Sequence, residues 1–205
     1  MLAGFLTTDS TNLYFRVDVV NICSSCSFAF SRTVNTIQHI VANLTFDQGC
    51  TTSDPYGSNG CTWTWAEPVA VTGAGALQED VTRGKLVVNL QLTDTIHGTT
   101  PFSFSCPICG ANCTILNPFS AASETFAMPA CPIHAMTIPV TTTPFALPRS
   151  PHDAIPAAVP AALRSAIENV FAELSVPASV AGQVQLADQS GGVIFKVTIA
   201  AEWQQ

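Results

Sequence analysis

Eight cysteines punctuate this chain, and what they bond to constrains the fold more than any other feature: Cys23, Cys26, Cys50, Cys61, Cys106, Cys109, Cys113 and Cys131. Two chemistries compete for them. In "CPICGANCT" (106–114) and "CPIH" (131–134) a Cys-Pro-Ile unit occurs twice, leading once to Cys109 and once to His134. A Cys-Pro-x-Cys-Gly knuckle brings two thiolates onto one ion, so Cys106, Cys109, Cys131 and His134 would form a three-sulfur, one-nitrogen zinc site. That set leaves Cys113 over, together with the four earlier cysteines. Disulfides accommodate all eight at once, although spacing alone does not give their connectivity. Cys50 and Cys61 bracket one loop and look like a local pair.

Two sequons, Asn43-Leu44-Thr45 and Asn112-Cys113-Thr114, also suit an oxidising compartment, with Asn43 and Asn112 as glycosylation candidates. The disulfide reading is therefore preferred, and with it a secreted, extracellular protein. The opening "MLAGFLTTDST" has no basic region and too short an apolar run for a signal peptide, which favours a mature form whose targeting segment has been removed.

Charge excludes several classes of function. Only 10% of residues are charged, and seven basic residues against fourteen acidic ones give a net charge of -7. No basic patch exists to neutralise phosphates, so nucleic acid is not an expected partner. Hydrophobic residues reach 47%, yet no apolar run has the length of a membrane span.

The first 145 residues read as β-structure. "NLYFRVDVV" alternates in the manner of a half-buried strand, and "SFAFSRTV", "QHIVANLTF" and "CTWTWAEPVAV" are short runs rich in Phe, Trp, Thr and Val. "TSDPYGSNG" is dense in turn formers and reads as a surface loop. "GKLVVNLQL" and "PFSFSC" make a hairpin across "TDTIHGTT". The segment "IPVTTTPFALPRSPHDAIPAAVP" holds six of the fourteen prolines and should run extended over the surface. After Pro160, Leu163, Ile167, Val170, Phe171 and Leu174 form one apolar stripe of a helix that Pro177 ends. The chain closes with a hairpin turning at Asp188 to Gly192, in which Val193, Phe195, Val197 and Ile199 alternate with Ile194, Lys196 and Thr198.

The expected architecture is an all-β, immunoglobulin-like antiparallel β-sandwich, disulfide-rich, with one added amphipathic α-helix. Its parts are a sandwich body over 1–138, an extended Pro-rich segment over 139–159, the helix over 160–176, and a C-terminal β-hairpin over 177–205 packing on the same domain.

Catalytic machinery is not evident. The chain lacks a G-x-S-x-G elbow, an H-E-x-x-H helix and a P-loop, and its acidic residues are dispersed. His39 falls in a strand-like run, His97 in a hairpin loop, and His152-Asp153 in the Pro-rich segment. A non-enzymatic protein without a cofactor is expected. The aromatic residues Phe28, Phe30, Trp63, Trp65, Phe102 and Phe104 form three i, i+2 pairs, each pair pointing to one face of a strand. They fill an ordinary sandwich core, or they line a cavity for an apolar ligand.

"RGKLVVNLQL" followed by "SCPICGANCTI", the opening "FRVDVVNICSSC", and the closing "SVAGQVQLADQSGGVIFKVTI" resemble the ML (MD-2-related lipid-recognition) family, over about half the chain. The resemblance implies a secreted sandwich that binds a lipid or sterol between its sheets through apolar wall positions, with no catalytic residues. The family's last strand usually carries a cysteine, which this chain lacks around Phe195, and the stretch from about 139 to 176 has no counterpart in a minimal domain of that family. The alternative is a structural subunit of an extracellular fibre or surface layer, whose arm "TIPVTTTPFALP" adds to the sheet edge of a neighbouring copy.

Overall fold

The computed structural model describes residues 5–9, 12–16, 26–37, 40–65, 67–154, 159–188 and 192–204. Its strands are β1 (Phe5–Asp9), β2 (Asn12–Arg16), β3 (Ser27–Ile37), β4 (Ile40–Phe46), β5 (Cys50–Asp54), β6 (Gly57–Thr64), β7 (Val69–Leu77), β8 (Gly84–Asp94), β9 (Gly98–Pro107), β10 (Asn112–Leu116), β11 (Ser123–Ala127), β12 (Met136–Phe145), β13 (Ala178–Asp188) and β14 (Val193–Gln204). One helix, α1 (Ala161–Phe171), follows a 3-10 turn at Pro151–Ala154. The fold is an all-β sandwich with one added helix.

Hydrogen bonding runs β12-β7-β4-β6-β3-β14-β13-β8-β9, with β5 attached to β6. Strand β6 is the corner that turns this path into two layers. Its end pairs antiparallel with β3, from Ser27↔Thr64 to Phe30↔Cys61, while its start meets β4 in parallel at Leu44↔Gly57. Backbone groups released where the ladder splits need other partners. Asn59 supplies them for Arg32, accepting its N–H at 2.8 Å and donating to its carbonyl at 2.7 Å, and the Ser58 hydroxyl accepts the N–H of Phe46 at 3.0 Å. Gly57 has φ +110, and a Cβ there would run into the backbone of Leu44. The corner therefore requires glycine.

One end of the sandwich is filled by rings. Phe28 lies 5.2 Å from Trp203 and 6.0 Å from Trp63, and Phe46 lies 4.8 Å from Trp63 and 5.1 Å from Phe145. Burying each such side chain contributes about 1.5–3 kcal/mol. Over the β8–β9 side the core is continued by α1, whose Leu163, Ala166, Val170 and Phe171 are buried, with Phe171 edge-on to Phe102 at 6.4 Å. Ile115 of the β10–β11 hairpin is buried in the same core. The helix is shorter than its apolar stripe suggested, ending at Phe171, although Leu174 beyond it is still buried.

Several segments differ from their sequence reading. "TSDPYGSNG" is not a loop: all of it but the turn at Pro55 and Tyr56 is strand, forming the β5–β6 hairpin. "CTWTWAEPVAV" is two strands, broken ahead of Pro68, which cannot donate to a ladder. The Pro-rich segment begins as an edge strand, because β12 pairs with β7 across a register shift between Ile138 and Thr141 and so straddles residue 138. In β14 the alternation is interrupted where its pairing with β13 shifts register between Leu186 and Ala187, with Ile194 as the extra residue, which leaves Ile194 and Val197 both buried. Strand β2 begins the "NLYFRVDVV" run, whose residues from 17 onward lie outside the described residues.

Both ends of the hydrogen-bonded path carry prolines, Pro101 and Pro107 on β9 and Pro139 and Pro144 on β12. Just past β9, the N–H of Ile108 donates to the carbonyl of Gly84 at 3.1 Å. Alternate N–H groups along β9 point the same way, which puts Pro101 and Pro107 on the outward-facing positions. A chain this poor in charge blunts its edges with proline instead of lysine.

Candidate apolar ligand groove

The walls recede at the end of the sandwich opposite the rings. Along the inner face of β7, Val69 and Val71 give way to Gly73 and Gly75, and the facing residues of β4 are Leu44 and Ala42. On the other layer the inner face offers Val34 of β3 and Phe195 and Val197 of β14. Of these, Gly73, Leu44, Ala42, Val34, Phe195 and Val197 line a groove of about 350 Å³, together with Arg32, Asn43, Tyr56, Ala74 and Thr141. That volume falls at the lower end of the roughly 300–1,000 Å³ typical of small-molecule sites.

One charged side chain meets this groove. Arg32 keeps only 10% of its side chain exposed and pairs with Asp54, through Nη1 to Oδ2 at 3.2 Å and Nη2 to Oδ1 at 3.3 Å. Nη2 also donates to the carbonyls of Tyr56 at 2.8 Å and Ser58 at 3.3 Å. The β5–β6 hairpin is thereby clamped over the open end, its tip held by the N–H of Leu44 donating to the Tyr56 carbonyl at 3.0 Å. Sequence reasoning missed Arg32 because all its side-chain partners lie 22 to 26 residues away.

The six aromatic candidates do not gather around this groove. Phe28, Trp63, Phe102 and Phe104 are buried in the core, where the Phe102 and Phe104 rings pack at a tilt with centroids 5.4 Å apart. Trp65 is partly buried, with an indole N–H that has no hydrogen-bond partner among the described residues. Phe30 borders a second depression of about 310 Å³ that crosses the β13, β14, β3 and β6 ladders.

The described cysteines are oxidised. Cys50 bonds to Cys61 across the β5–β6 hairpin, as their spacing suggested, while Cys106 bonds to Cys113 and Cys109 to Cys131. Cys26 is disulfide-bonded too, and Cys23 lies outside the described residues. With Cys106, Cys109 and Cys131 all bonded to sulfur, the zinc set that adds His134 has no thiolates to offer. His134 is exposed and instead contacts Asp80, Nδ1 to Oδ2 at 3.0 Å. The N–H of Ala135 and this ring hold the Asp80 carboxyl below its ordinary range.

Of the remaining histidines, His97 packs on Phe119 and contacts Asp94 at 2.9 Å, and His152 lies exposed beside Asp153. His39 lies outside the described residues. Both sequon asparagines are exposed; the Thr45 hydroxyl lies 3.0 Å from Asn43 Oδ1, and Asn112 begins β10. No helix among the described residues is long and apolar enough to cross a membrane. Comparison with protein-family models, curated proteins and solved structures finds no match to this chain.

Proposed function

We propose that this chain is a secreted, non-enzymatic glycoprotein that carries a lipid or sterol between the layers of its sandwich, as its resemblance to the ML family implies. The observation that carries this reading is the groove: it is bordered by β3, β4, β7 and β14, and its walls are mostly Val, Ala, Leu, Gly and Phe. An apolar surface left open to water is unfavourable unless something covers it, and an apolar small molecule fits the space. The disulfides supply rigidity suited to an oxidising compartment. Solvent extraction of the natively purified chain, followed by mass spectrometry, tests the proposal.

A second reading, a structural subunit binding copies of itself, draws on the low charge and the disulfides. Proline on both edge strands opposes strand addition, and β12, the arm that would be exchanged, is paired with β7 of its own chain. The carrier reading therefore stands first. Light scattering of concentrated native material separates the two, since a carrier stays monomeric.

A further inference from the structure

We infer that the groove selects an uncharged apolar molecule ending in a hydroxyl, such as a sterol or a long-chain alcohol, over the anion of a fatty acid. This rests on the carrier reading and names the ligand class for that same groove. A guanidinium has five N–H donors in a fixed plane. Asp54 takes one hydrogen from each Nη on the end of that plane, and the Tyr56 and Ser58 carbonyls take up the other Nη2 hydrogen. The Nε hydrogen and the second Nη1 hydrogen have no partner among the described residues, in a side chain nine-tenths buried that lines the groove. These two hydrogens lie on opposite edges of the plane.

No two-pronged fork is left for a carboxylate, which binds arginine best through two parallel N–H groups. The Arg32 charge is already matched by Asp54, so an incoming anion would bring a second negative charge to a partly buried pair, against like-charge repulsion and desolvation. A hydroxyl avoids both costs. Its oxygen accepts one arginine N–H, and its own hydrogen is free for a neighbouring carbonyl.

Competition against a fluorescent apolar reporter bound to the full chain tests the inference, with dodecanol, cholesterol and dodecanoate as the probes. At neutral pH dodecanol or cholesterol should bind at least about tenfold more tightly than dodecanoate. Either hydroxyl compound leading supports the inference, and their relative affinity tells a chain from a ring. Asp54→Asn removes the opposing charge and should narrow the gap between dodecanol and dodecanoate several-fold. The unaltered chain gives a check that needs no variant to fold: dodecanoate should gain affinity as pH falls below a carboxyl pKa of about 4 to 5, while dodecanol does not. Equal or tighter binding of dodecanoate at neutral pH overturns the inference and leaves lipid carriage standing. If neither the reporter nor any probe binds, the carrier reading fails and takes the inference with it.

Discussion

Asp94, at the end of β8, accepts the backbone N–H of Ser175 at 3.0 Å across 81 residues of chain. Its carboxylate also accepts the N–H groups of Ile96 at 3.1 Å and His97 at 2.6 Å and contacts the His97 ring at 2.9 Å. One buried side chain thus ties the β8–β9 turn to the exit of α1.

Acid should release that tie. Burial pushes the Asp94 carboxyl up, but the N–H groups of Ser175 and His97 and the His97 ring outweigh it and hold the pKa at about 2, against an ordinary 3.8. A depressed native pKa gives stability that is fully present above the unfolded value and is lost as pH falls from about 4 to about 2, on the order of 2 kcal/mol in all. Asp94→Asn should remove most of this acid-labile component. Calorimetric melting from neutral pH down to about pH 2 checks it: the variant starts less stable and its curve runs flatter with pH than the parent's.

Gly57→Ala should be costly although it adds one methyl group. The position combines φ +110 with backbone contact to Leu44, where the layers join. A loss of about 1–3 kcal/mol is expected in urea unfolding. A change within about 0.5 kcal/mol would mean that the corner is not built this way.

Non-reducing peptide mapping should recover Cys50–Cys61, Cys106–Cys113 and Cys109–Cys131. Loop-closure entropy assigns about 3.4 kcal/mol to the Cys109–Cys131 crosslink, which spans 22 residues, and about 2.4 kcal/mol to Cys106–Cys113, which spans 7. The latter cysteines are wholly buried, so their replacement by serine adds the burial of two hydroxyls. Unfolding of the two double-serine variants should therefore show Cys106→Ser/Cys113→Ser to be no less damaging than the longer-loop pair.

The layout of strands was legible because alternation and turn chemistry are local. The β8–β9 hairpin, the closing β13–β14 hairpin and the buried stripe of α1 all follow from residues within a few positions of one another. The β5–β6 hairpin was hidden because Ser, Asn, Gly and Asp favour turns, and here the Arg32 clamp and the Cys50–Cys61 bond hold them in strands. The groove was illegible for a different reason. Paired aromatics look the same whether they fill a core or line a cavity, and the space comes from what is missing at Gly73, Ala74 and Ala42. Only the register across β4 and β7 brings those small residues opposite Phe195 and Val197.

Stability and binding should separate cleanly between the core under α1 and the groove. Phe102 is buried between Phe104 and Phe171, so Phe102→Ala should cost about 3–5 kcal/mol. Leu44 lines the groove and is 38% exposed, so Leu44→Lys should leave the melting temperature nearly unchanged while weakening uptake of an apolar probe about tenfold or more. Paired thermal melts and probe titrations check this. Loss of stability without loss of binding in Leu44→Lys would reverse the assignment.

The most direct measurement is mass spectrometry of the solvent extract from the chain purified without detergent from a secretory host. Carriage of a ligand in the groove predicts a sterol or other uncharged lipid in near-stoichiometric amount, depleted in Leu44→Lys prepared in the same way. A native protein that yields no apolar molecule, and takes up none when lipids are offered, would contradict it.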